Sequence, residues 1–128
     1  MKIIRYQEAR NYEKLLELLI REGDDWQCYH AENIRDTYKK LLKKSITFVL
    51  YSHETIIGYV RCLYDVGFYV YICDLLVDKN YRRYDYGRML MDRVKNTYKD
   101  QTVFVMSDVD PYYTKLGYER EGSIFIVS

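Results

Sequence analysis

The sequence is poor in the residues that build stapled or metal-held folds. It has three cysteines (Cys28, Cys62 and Cys73) and two histidines (His30 and His53) among 128 residues. An odd number of cysteines with no Cys-x-x-Cys pair suggests neither a disulfide framework nor a zinc site. Reduced thiols are the simple expectation, with Cys62 and Cys73 as filler in apolar strands. His30 and His53 lack ligand partners at useful spacing. A strong charge of one sign is also missing. The formal net charge is +1, whereas a nucleic-acid binder is usually far more basic. No apolar run is long enough to span a membrane. The start, Met1-Lys2-Ile3-Ile4-Arg5, lacks the long apolar stretch of a signal peptide. These absences predict a cytoplasmic protein with no metal and with neither nucleic acid nor membrane as a partner. No internal repeat, low-complexity segment or linker interrupts the chain, which predicts one domain over residues 1–128.

What is present is ordinary for a globular protein, with 48% hydrophobic and 30% charged residues. Tyrosine is the exception, at 16 copies against a single proline. Its large apolar ring and polar tip suit half-buried strand positions and pocket walls. Lys39-Lys40 and Lys43-Lys44 fall where a helix should end, so they read as a solvated terminus.

Periodicity gives a coarse order of elements. Lys2 to Tyr6 reads as a strand. Asn11 is expected to cap a helix from Tyr12 to Arg21, with Leu15, Leu16, Leu19 and Ile20 on its inner face and Gly23 ending it. A second helix is expected over Ala31 to Lys44. Strands follow at Ile46–Tyr51, Ile56–Tyr64 and Phe68–Val77. A helix over Tyr86 to Tyr98 leads to a strand at Thr102–Met106. Pro111 to Leu116 reads as a short helix, since proline suits a first turn. Tyr118 and Ile124–Val127 supply the last strand or strands. Consecutive strands in the middle exclude a doubly wound parallel sheet. The helix after the long strand should return the chain as a parallel crossover.

The segment from Leu75-Leu76-Val77 through Asp78-Lys79-Asn80-Tyr81-Arg82-Arg83-Tyr84-Asp85-Tyr86-Gly87-Arg88 carries the chemistry. A buried strand ends, a basic loop follows and a helix begins. The first helical N–H groups have no partner inside the helix, and with the dipole they form an anion site. Gly87 removes a side chain where a phosphate would come close. Arg82, Arg83 and Arg88 add positive charge. On this segment alone a solvated surface loop remains the alternative. Nothing matches GxxxxGK[ST] or GxGxxG, which disfavours a nucleotide-triphosphate or dinucleotide site.

Leu76-Val77 followed by Tyr81-Arg82 through Gly87-Arg88 resembles the acetyl-CoA motif of the GNAT superfamily of N-acetyltransferases. There an Arg or Gln, two residues, Gly, one residue and Gly or Ala open a helix. Arg82 takes the first position and Gly87 the last, while Asp85 stands where the family has its first glycine. Tyr112-Tyr113-Thr114-Lys115-Leu116-Gly117-Tyr118 resembles the family's Tyr-x-x-x-Gly-Phe/Tyr segment. The element order agrees, so the resemblance covers essentially the whole chain.

The resemblance implies an α/β (α+β) domain with a mixed, mainly antiparallel sheet of six to seven strands. About four helices would flank it, with a V-shaped splay between the fourth and fifth strands. It implies acetyl-CoA as co-substrate, an amine acceptor whose identity stays open, and a homodimer as one assembly the family uses. The strand Asp74 to Val77 would present Leu75, Leu76 and Val77 to the pantetheine arm. Arg82, Arg83, Tyr84, Asp85, Tyr86, Gly87 and Arg88 would surround the diphosphate. Ser107 stands where the family often has an Asn that touches pantetheine. Tyr113 matches the general acid. Asp74 is the one carboxylate in the long apolar strand, where an unpaired charge is costly. Base, water-holder, amine anchor and structural ion pair all remain open for it. Trp26 and Tyr29, in the connector Asp24–His30, would form a wall of the acceptor site and suit a cationic amine; a plain helix connector with the Trp packed on the core is the other reading. The alternative to catalysis is an acyl-CoA-binding sensor on the same fold.

Overall fold

A computed structural model describes residues 1–128. Strand β1 is Lys2–Arg5 and helix α1 is Glu8–Glu22. A 3₁₀ turn at Gly23–Trp26 leads to the short α2, Gln27–His30, and then to α3, Glu32–Lys44. Strands β2, Ile46–Ser52, β3, Thr55–Asp65, and β4, Tyr69–Val77, follow without interruption. Helix α4 is Tyr86–Thr97, β5 is Thr102–Val105 and α5 is Asp110–Lys115. The five strands lie in chain order, antiparallel except for the β4–β5 pair, which is parallel. The parallel pair needs a long crossover, and α4 provides it.

The sheet separates two cores. On one face α1 and α3 bury Leu15, Leu18, Leu19, Tyr38 and Leu42 against Val49, Ile56 and Tyr59. On the other, α4 buries Leu90, Met91 and Val94 against Phe48, Leu50, Val60, Val70 and Ile72. Each fully buried leucine contributes about 1.5–3 kcal/mol. The inner face of α1 is turned from the expected one: Leu18 is buried and Ile20 is 48% exposed. Asn11 does not cap α1 from outside. It lies within the first turns, where its Oδ1 accepts from the Gln7 N–H at 2.7 Å and its amide donates to the Tyr51 hydroxyl. Thus α1 starts earlier than expected, because a side chain inside the helix satisfies an N–H ahead of it.

Six to seven strands were expected, and five form. Residues 118–128 carry no strand, and Ile124, Phe125, Ile126 and Val127 are 73–97% exposed. Their apolar character suits a strand, but no ladder partner satisfies their backbone, and a strand exists only through its pairing. The outer edge of β5 is therefore open.

A bulge in β4 sets up the site. Arg61 pairs with Asp74 and Cys62 with Ile72, so Cys73 is the extra residue. One inserted residue exchanges the faces of every side chain beyond it. Before the bulge Val70 and Ile72 face α4; after it Leu76 joins the α1–α3 core, and Leu75 and Val77 face α4. The β4–β5 ladder ends at the same place, with Ile72 opposite Val105 and the Met106 N–H on the Ile72 carbonyl at 3.0 Å. From Cys73 to Val77, β4 has no partner on the β5 side.

Candidate active site

The loop from β4 to α4 is anchored at its start by Asp78, a buried residue that the sequence pattern did not single out. Its Oδ1 accepts from the Asn80 N–H at 3.0 Å and its Oδ2 from Arg21 Nε at 3.2 Å. Asp is well suited to such a turn, because its side chain bonds its own backbone two residues on. Arg82 folds back from the loop: its Nε donates to the Val77 carbonyl at 3.0 Å and its Nη2 pairs with Glu22 of α1. Arg83, Tyr84, Asp85 and Arg88 are exposed, and neither Arg83 nor Arg88 forms an ion pair. The rings of Tyr84 and Tyr86 lie 5.8 Å apart.

Asp85 occupies the N-cap of α4 in the left-handed region, φ 62°, and its side chain makes no capping bond. Asp is among the few non-glycine residues that tolerate this conformation. The first helical bond runs from the Met89 N–H to the Asp85 carbonyl at 3.0 Å. The N–H groups of Tyr86, Gly87 and Arg88 precede it and have no helical acceptor. With the positive end of the helix dipole they form a place for an anion.

Gly87 is buried where α4 meets α5 and β4. A Cβ there would fall well inside 3.0 Å of the Tyr112 hydroxyl and 3.8 Å from Leu75 Cδ2. It is therefore Tyr112 that reaches the start of α4. Tyr113 points elsewhere, half-buried against the α4-side core. Its ring is stacked on Tyr118 at 6.4 Å and meets Tyr112 edge-on at 5.0 Å. Burial pushes its phenol up to about 12, so it carries its proton at neutral pH. Ser107, just past β5, is engaged with the start of α5, donating to Asp110 at 2.7 Å and accepting from the Val109 N–H.

Past the bulge, Asp74 faces α3 and is 4% exposed. Its Oδ2 accepts from Arg61 Nε at 2.5 Å and from the Tyr38 hydroxyl at 2.6 Å. Tyr38 and Tyr59 hydroxyls bond each other at 2.7 Å. Trp26 packs on Tyr29 at 5.2 Å and on Tyr59 at 6.2 Å, while Tyr29 packs on Tyr38 at 4.8 Å. The connector is thus an aromatic lid over a buried ion pair, and Trp26, Tyr29 and Asp74 belong to one assembly. Burial and the Asp74 carboxylate push the Tyr29 and Tyr38 phenols far above 10.

No group of three His, Cys, Asp or Glu side chains converges on a point that would hold a metal ion. No helix is long and apolar enough to cross a membrane.

The sequence model described as the acetyltransferase (GNAT) domain matches residues 43–120. Among solved structures, an aminoglycoside acetyltransferase, HMB0005, from an uncultured soil metagenomic sample superposes with a TM-score of 0.74 at 22% identity. The match covers 99% of this chain and 97% of that one. The GNAT-family protein SP0256 of Streptococcus pneumoniae TIGR4 gives a TM-score of 0.68 at 22% identity, over 98% of both chains. The aminoglycoside N-acetyltransferase AAC(6')-Iy, solved with CoA, gives 0.75 at 13% identity, over 99% of this chain and 93% of that one. At such identities the likeness is one of fold. No curated protein matches the chain by sequence.

Proposed function

The chain belongs to the GNAT acetyltransferase family, and on that premise we propose that it transfers the acetyl group of acetyl-CoA directly to a primary amine of a small molecule or peptide. One observation carries the reading. The unpartnered edge of β4 runs into a helix start whose three free N–H groups surround a glycine.

These residues suit the coenzyme. The N–H groups of Tyr86, Gly87 and Arg88 would hold a diphosphate, with Arg83 and Arg88 as the free cations beside it. Arg82, joined to Glu22, steadies the loop against α1 instead. Backbone groups of Leu75, Leu76 and Val77 on the free edge of β4 would hydrogen-bond the pantetheine arm and meet the charge that develops on the thioester oxygen. Tyr84 and Tyr86 lie along this loop, and Ser107 would touch the pantetheine arm from the β5 side.

Acetyl-CoA supplies the activated acyl group. The attacking amine must be neutral, although a lysine-like amine has a pKa of about 10.4. The carbon–nitrogen bond forms, the carbon–sulfur bond breaks, the amine gives up a proton to water and the sulfur receives one. Tyr113 is assigned as the acid that supplies the sulfur's proton, since a phenol remains protonated at neutral pH. Asp74 already receives Arg61 and Tyr38 on one oxygen, which supports a positioning role over that of a free base. Through Tyr38 and Tyr29 it braces an acceptor wall completed by Trp26, whose aromatic faces suit a cationic amine.

The test is release of coenzyme A thiol from acetyl-CoA in the presence of a panel of primary amines, with binding followed by calorimetry. Binding with acceptor-dependent release is the expected result. Binding with no release from any amine would identify an acyl-CoA sensor. Absence of binding would overturn the reading.

A further inference from the structure

Glu22 is out of place by local rules. It ends α1, where the negative end of the helix dipole disfavours an acidic side chain. Its side chain is only 12% exposed, and a covered carboxylate needs a partner. The partner is Arg82, from the loop between β4 and α4. The preceding residue repeats the bond with the charges exchanged. Arg21 Nε donates to Asp78 Oδ2 at 3.2 Å, and its Nη2 donates to the Ile56 carbonyl at 2.8 Å. Two crossed ion pairs, Arg21–Asp78 and Glu22–Arg82, thus fasten the end of α1 to that loop.

The two halves of the proposed site lie on either side of this fastening. Beyond Arg82, both Arg83 and Asp85 take left-handed backbone, φ 73° and 62°. This is an uncommon path for residues with side chains, and it leaves the loop little freedom. Tyr86 follows directly, with the first of the free N–H groups. Beyond Glu22, Gly23 turns the chain at φ 83° into the connector that carries Trp26 and Tyr29. No residue from Gly23 to His30 is buried, and segments with few buried contacts open most readily. His30 Nε2 donates to the Gly23 carbonyl at 2.9 Å. The connector is therefore closed on itself, and the end of α1 is one of the two points that orient it.

We propose that Glu22 is a positioning residue that couples the coenzyme loop to the acceptor wall. The inference rests on the coenzyme site proposed above. A diphosphate at the free N–H groups would relieve the repulsion among Arg82, Arg83 and Arg88 and fix the loop. Arg82, through Glu22, would then steady Trp26 and Tyr29. The second ligand meets a protein already ordered by the first, and each strengthens binding of the other by the same factor.

Trp26 is the one tryptophan of the chain, so its fluorescence reports the connector. The full chain is titrated with coenzyme A, with binding read by calorimetry and Trp26 by emission and anisotropy. In the wild type the Trp26 signal should change and saturate with the calorimetric curve. Glu22→Gln should lose most of that change while holding coenzyme affinity within about twofold, as loss of a half-exposed ion pair allows. With an accepted amine at saturating acetyl-CoA, it should raise the amine KM about fivefold or more and leave kcat nearly unchanged. A Trp26 signal that ignores bound coenzyme A, or that persists in Glu22→Gln, overturns the inference. Should the variant fold poorly, amide hydrogen exchange of residues 23–30 in the wild type decides. Slower exchange with coenzyme A bound is expected, and unchanged exchange overturns the coupling. Absence of calorimetric binding to the wild type would instead overturn the coenzyme site itself, and the coupling with it.

Discussion

The hydroxyl of Tyr112 rests on the backbone of Gly87, so that the start of α4 is in contact with α5 through the one position that has no side chain to interpose. The contact joins the two motif segments, the helix start at Arg82–Arg88 and the tyrosine pair of α5. It also means that a ligand at the free N–H groups would share the space beside Gly87 with Tyr112.

Gly87→Ala tests that sharing. Helix propensity alone would favour the alanine by roughly 1 kcal/mol, but its Cβ must displace the Tyr112 ring. The expected outcome is little change in thermal stability and a coenzyme A affinity at least about tenfold weaker, some 1.4 kcal/mol. Calorimetric titration checks it. Unchanged affinity would show that the ligand does not approach Gly87.

Tyr113→Phe should lower turnover by about a hundredfold or more, the usual range for a lost general acid, with coenzyme affinity held. Tyr112→Phe should do the opposite, changing affinity and sparing turnover. Steady-state kinetics with both variants separates them. If the turnover loss follows Tyr112, the proton donor is the residue on Gly87.

Asp85→Gly relieves a left-handed residue, φ 62°, and removes a carboxylate beside the proposed anion site. Coenzyme binding should be equal or tighter. Any gain should shrink between low and physiological salt, because exposed charges are screened within about 8–10 Å. Weaker binding measured at both salt concentrations would give Asp85 a positive role in the site.

Arg61→Met leaves Asp74 buried without its cation. Arg61 and Asp74 side chains are 9% and 3% exposed, so the loss should be large, about 3–5 kcal/mol by urea denaturation. Arg61→Met combined with Asp74→Leu should recover much of it, because no unpaired charge remains. Equal instability of single and double variants would contradict the ion-pair account.

The buried phenols give the fold an alkaline limit. Burial pushes the Tyr113 phenol up to about 12 and holds Tyr38 and Tyr59 higher still, against about 10 in the unfolded chain. With the folded values raised, their contribution is complete below pH ~10, where both states keep the proton, and is lost as pH rises through the folded pKa values. Phenolate absorbance should therefore show an early step from exposed tyrosines. A later step should coincide with loss of near-ultraviolet dichroism. A single early step for all tyrosines would contradict the burial described here.

By itself the sequence determined most of the elements and singled out one loop. Helices and strands announce themselves through local periods. The segment Tyr81–Arg88 stood out because a strand end, a basic loop, a glycine and a helix start are adjacent in the chain. Partners were another matter, since they depend on residues far apart. Only the tertiary structure turned Arg82 to Glu22 across 60 residues, buried Asp74 against Arg61 and Tyr38, and put Tyr112 rather than Tyr113 on Gly87. A single extra residue at Cys73 decided which face Asp74 and Leu76 serve, and nothing in the alternation of an apolar run marks such a bulge. Ile124–Val127 reads as a strand in the sequence and is none in the isolated chain, because a strand's hydrogen bonds belong to its neighbour as much as to itself.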